Sequence, residues 1–165
     1  MNAQSPSIAF ADLLAYTDYL AQRWFDYFRR NPGALDIDMG GKTGMLRNLV
    51  THIFQVEQFF ADLLLQEGAG ASRPPAARTE KVELEELQRM HQDALGKLEQ
   101  YIGSATEEAL QQMRTLGPVT VSSRKILTQA VLHSVHHWAQ VAMEVRQAGF
   151  PTEKPQDIIG SPVMK

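Results

Sequence analysis

Apolar side chains recur every three to four residues along four long stretches of this chain, the spacing that gathers them on one face of an α-helix. The first stretch runs from Ile8 to Arg30, with Leu14, Ala21, Trp24, Phe25 and Phe28 on its apolar side, and Asn31, Pro32 and Gly33 close it. The second begins after the stretch Gly40 to Gly44, where Thr43 is a candidate cap. Its face reads Met45, Leu49, His52, Val56, Phe59 and Leu63, up to a stop at Gly68. A third, from Glu83 to Ile102, places Glu83, Glu85 and Glu86 at the positive end of the helix dipole. It aligns Leu84, Leu87, His91, Ala94, Leu98 and Ile102 before Gly103. The fourth is capped by Ser122 or Ser123, carries Ile126, Ala130, His133, His137, Val141 and Glu144 in one line, and ends at Gly149 and Pro151.

The connections between these stretches are long. Glu67 to Arg78 is rich in Gly, Ala and Pro and reads as a solvent loop. Thr106 to Val121 reads as a connection, in which Glu107 to Gln112 has the pattern of a short helix and Gly117 with Pro118 that of a turn. Residues 150–165 form a Pro-containing tail. Four amphipathic helices with little strand signal predict an all-α protein, a four-helix bundle with long connections, as a single domain over residues 1–165. Connections of this length leave helices that are not consecutive free to pair.

Composition narrows the function classes. Hydrophobic residues make up 44% of the 165 and charged residues 21%, ordinary values for a globular fold. A net charge of −3 gives no basic footprint for nucleic acid. No apolar run is long enough to suggest a membrane span, and Met1 to Ala11 lacks the pattern of a signal peptide, so a cytoplasmic location is expected. With no cysteine there is no disulfide framework, no Cys nucleophile and no thiolate ligand.

The candidate chemistry lies in the histidines. His52, His133 and His137 stand inside apolar stripes, where an imidazole needs a polar partner, and residues four apart on a helix share a face. One ion shared by the three would satisfy them. Three neutral nitrogens suit zinc, nickel, ferrous iron or copper and leave coordination positions open, so a water or thiol could be activated there. His136 competes with His137 as second ligand but is turned by about 100° from that line. His91, Glu57, Glu144 and Gln140 are candidates to line the pocket, orient an imidazole or act on a bound water, and His136 reads as a boundary residue. The cluster of Trp24, Phe25 and Phe28 and that of Phe54, Phe59 and Phe60 read as core. If the His52 nitrogens lay more than about 6 Å from both other imidazoles, one ion could not join the three.

The segment LRNLVTHIFQVEQFFADLL, followed by ILTQAVLHSVHHWAQVAMEVRQAG, resembles the DinB-like superfamily in helix order and length over the whole chain. That resemblance implies a four-helix bundle of unusual connectivity, frequently a homodimer. It also implies a divalent metal held by one histidine of the second helix and an H-x-x-x-H pair of the fourth. Carried over by position, these are His52, His133 and His137. The fourth helix of the superfamily often continues H-R-G-Q, whereas this chain has His137, Trp138, Ala139 and Gln140, so any role of an Arg at position 138 is missing. The resemblance further implies chemistry on small molecules, either transfer or isomerisation with a low-molecular-weight thiol or hydrolysis. The expectation is a cytoplasmic metal-dependent enzyme that activates such a thiol or water for a small-molecule substrate. The rivals are a stress-related module that binds metal or a small ligand without turnover, and a vestigial site.

Overall fold

The computed structural model describes residues 9–65, 81–151 and 157–164. The expected start at Ile8, the stop at Gly68 and the loop Glu67 to Arg78 lie outside the described residues, as does part of the tail. The four long helices are α1 (Phe10–Arg30), α2 (Leu46–Leu65), α3 (Leu84–Ser104) and, after a short α4 (Glu107–Gln111), α5 (Ser123–Gln147). The fold is the expected all-α bundle. α1 and α2 each pack against both α3 and α5, so helices distant in the chain are neighbours in space.

Two apolar clusters fill the interior. One is aromatic: Trp24 stacks on Trp138 at 5.6 Å and Phe25 on Phe54 at 5.3 Å, joining α1, α2 and α5. Trp138, the residue at the position where the resemblance leads one to expect Arg, is therefore sealed in the core rather than at a surface. The second cluster gathers Leu14, Val56, Phe60, Leu63, Leu98 and Ile126 farther along the same helices. α2 is buried on nearly every side, including at Thr51, Gln55 and Glu57, which makes it the central helix.

The segment 106–121, read from sequence as a connection, holds more structure than that. After α4 the chain forms a hairpin of β1 (Met113–Leu116) and β2 (Val119–Ser122), paired antiparallel from Met113↔Ser122 to Leu116↔Val119. Gly117, at φ 57°, takes the left-handed conformation that its two-residue turn requires. Strands of four residues are too short to show a period, so only the turn was visible in the sequence. The buried Arg114 ties the hairpin to the bundle. Its guanidinium donates to the Leu64 carbonyl at the end of α2, to Gln112 Oε1 and to Ser123 Oγ.

The ends of α5 follow ordinary capping chemistry. Ser122 Oγ accepts from the Lys125 amide, while Ser123 is buried and donates to the Gln112 carbonyl. At the other end Gly149 (φ 79°) reverses the chain, with Phe150 N–H donating to Val145 O and Gly149 N–H to Arg146 O. Thr43 does not cap α2. It lies in the preceding turn, and its carbonyl accepts from Asn48 Nδ2. Among the described residues no helix is long and apolar enough to cross a membrane.

Candidate metal centre

Because α2 packs against α5, the two apolar stripes that carry histidine face each other. His133 Nε2 lies 3.3 Å from His52 Nε2 and 3.1 Å from His137 Nε2. One ligand atom from each of the three residues falls within 4.8 Å of the others. Nitrogens bonded to one transition ion at about 2.1 Å sit about 3–4 Å apart, so the cluster has the dimensions of a three-nitrogen site.

The surroundings keep these rings neutral. Burial pushes the His133 imidazole down to about 3, and the neighbouring His137, His52 and His136 add to the effect. Burial likewise lowers His52, with His137 contributing. Burial also lowers His137, partly offset by its hydrogen bond to Gln140. A neutral imidazole has a free lone pair on one nitrogen only, and the hydrogen bonds select which. His137 Nδ1–H donates to Gln140 Oε1 at 2.7 Å, so its lone pair sits on Nε2, toward the cluster. The Gln140 amide is oriented in turn, because its Nε2 donates to His136 Nε2 at 3.2 Å. His133 Nδ1 is buried without a hydrogen-bond partner among the described residues. Three neutral imidazoles whose Nε2 atoms converge, with the buried His133 Nδ1 left unpartnered among the described residues, form a donor set to which a divalent transition ion fits.

A cavity of about 500 Å³ opens onto His52 and His137. Its walls include Met39, Leu49 and Met143, and beside the two histidines Lys42, Thr43, Asn48, Gln140 and Glu144 are its polar lining. Of the residues singled out in the sequence beside the three histidines, Glu144 and Gln140 line this cavity. His136 is exposed; it accepts from Gln140 and packs edge-on against the His137 ring at 5.4 Å, outside the three-nitrogen cluster.

His91 and Glu57 lie elsewhere. Neither lines the cavity; both belong to a buried network that touches all four long helices. His91 Nδ1–H donates to Glu57 Oε2 at 2.9 Å and Nε2–H to Asp18 Oδ1 at 3.2 Å, while Ser134 Oγ donates to Glu57 Oε1 at 2.6 Å. Burial alone would lower the His91 pKa, but the Glu57 charge and the hydrogen bonds to both carboxylates prevail and raise it to about 9. His91 is therefore an imidazolium, unsuited to hold a cation. Glu57 does orient an imidazole, but that of His91. Sequence reasoning missed Asp18 and Ser134 as its partners, and Lys42 as part of the cavity, because none stands out within its own helix or turn.

Fold and cluster together define a class, a helical bundle with three convergent imidazoles able to hold an ion, two of which line an open cavity. The sequence profile of the DinB family matches residues 7–157, and the chain belongs to that family. Among solved structures it is similar to a DinB-like protein from Bacillus subtilis, with a TM-score of 0.51 at 22% identity over 88% of this chain and 92% of that one. That likeness is one of fold. No curated protein matches the chain.

Proposed function

We propose that this chain is a metal-dependent enzyme in which His52, His133 and His137 hold a divalent transition ion, zinc, nickel or iron, and that a low-molecular-weight thiol or water is activated beside them for reaction with a small substrate. The observation that carries this reading is the meeting of three Nε2 atoms from α2 and α5 beside an open cavity of about 500 Å³. Such an ion, when bound, supplies Lewis acidity that favours the anionic form of a thiol or water. The chain's own residues supply the rest. Desolvation holds the imidazoles neutral, Gln140 keeps the His137 lone pair on Nε2, and Leu49, Met39 and Met143 present apolar surface to an entering molecule. With no cysteine in the chain, a thiol nucleophile must enter as co-substrate. A cavity open to solvent beside the cluster favours turnover over the rival reading of a module that binds metal or a small ligand without turnover.

The test is the metal content of tag-free protein, wild type against His133→Ala, followed by a panel of electrophiles with glutathione, bacillithiol or mycothiol. A stoichiometric ion in the wild type, its loss in the variant, and turnover that needs both ion and co-substrate are expected. Equal and negligible metal in both proteins would remove the site. Metal without ion-dependent turnover would leave only a binding module.

A further inference from the structure

Two of the polar side chains that line the cavity are already committed. Gln140 is engaged at both ends of its amide, and Asn48 Nδ2 is held by the Thr43 carbonyl. Two charged groups are not. Lys42 and Glu144 both line the cavity, and neither has a hydrogen bond or ion pair among the described residues, with each other or with anything else. They come from separate elements. Lys42 sits in the turn set by the left-handed Gly40, Gly41 and Gly44 (φ 70°, 59° and 63°), which Met39 N–H to Gly44 O and Gly40 N–H to Asp38 Oδ1 hold in shape. Glu144 lies on α5, two helical turns beyond His137 and on the same face, so its carboxylate and the His137 ring share one wall.

We infer that the cavity selects a small zwitterion, its carboxylate received by Lys42 and its ammonium by Glu144, with the reacting heteroatom directed toward His52 and His137. The inference rests on the metal-enzyme reading and deepens it by naming the charge pattern of the substrate. Opposite charges kept apart around one cavity meet both ends of a dipolar guest, whereas a guest with one charge leaves a like-charged or unpaired group beside it. Both heads are reachable by solvent, so each contact is worth a modest factor in affinity rather than a large one.

The protein loaded with cobalt(II) reports thiol binding at the ion through its absorption spectrum, and four thiols separate the charges. Cysteine carries both, N-acetylcysteine only the carboxylate, cysteine methyl ester only the ammonium, and 2-mercaptoethanol neither. Cysteine is expected to bind most tightly, by roughly threefold to tenfold over either singly charged thiol. Lys42→Gln should weaken cysteine and N-acetylcysteine by that factor and spare the other two. Glu144→Gln should weaken cysteine and the methyl ester and spare N-acetylcysteine and 2-mercaptoethanol. Equal binding of all four thiols to the wild type, or variants that weaken all four alike, would overturn the zwitterion assignment while leaving the metal site intact. Failure to take up cobalt at all would overturn the metal-enzyme reading, and this inference with it.

Discussion

The side chain on which most depends outside the histidine cluster is His91. It is 1% exposed and donates to two carboxylates, and through Glu57 and Ser134 it links α3 to α2 and α5, with Asp18 adding α1. Removing one partner of a buried ionic pair leaves the other charge desolvated and unmatched, so His91→Leu should cost about 3–5 kcal/mol in urea unfolding. The pH dependence has a definite sign. The folded pKa of about 9 stands above the ordinary 6.5, so His91 contributes fully below pH 6.5 and its contribution is lost as pH rises through about 9. Asp18 runs the opposite way. The hydrogen bond from His91 lowers its carboxyl, against burial, so its share is present above the ordinary carboxylate range and lost as pH falls through the lowered value. Urea midpoints of the wild type should fall between pH 6.5 and 9, and those of His91→Leu should stay flatter there. An identical slope in both would remove His91 as the cause. The sequence placed His91 on the inner face of its helix but could not show its partners, because Asp18 and Glu57 belong to other helices.

At the level of elements, one guanidinium ties the hairpin to the end of α2. Arg114 is buried and satisfies the Leu64 carbonyl at the end of α2, together with Gln112 and Ser123. Arg114→Met fills similar space but leaves that carbonyl without its donor, a cost of about 1–3 kcal/mol. Amide exchange should accelerate in β1, β2 and the last turn of α2, while uptake of metal at the histidines should stay within a factor of about two, since additive effects are usual for sites without shared partners. Unchanged exchange in the hairpin would mean that its backbone pairing and the packing of Leu116 and Val121 against the second apolar cluster suffice. The four long helices were legible because each carries its own period and stop, such as Gly149 after α5. The hairpin was not, since the burial of Arg114 arises from contact with α2 and is invisible in a strand of four residues.

For the whole molecule, the cluster joins the central helix α2 to α5, and a ligand that binds only the folded chain stabilises it. An ion present at about 100 times its dissociation constant should add about 2.7 kcal/mol, which for a chain of this length corresponds to a rise in melting temperature of about 5–10 °C. Thermal unfolding with and without zinc, nickel or iron reads this directly. His133→Ala should lose the shift. A variant that keeps it would place the ion elsewhere.

By itself the sequence determined the helical class, the faces that turn inward and the three histidines as one candidate set, because helix periodicity and the projection of residues four apart are local properties of the backbone. It also placed Gln140 and Glu144 on the His137 side of α5. Tertiary structure alone decided that His52 Nε2 comes within 3.3 Å of His133 Nε2, that His91 and Glu57 neutralise each other away from the cavity, and that Lys42 and Glu144 stand around one opening. Those facts depend on which helices pair. Pairing is chosen by how the side chains of distant segments fill a shared core, at a loop-closure cost that changes only slowly with chain separation.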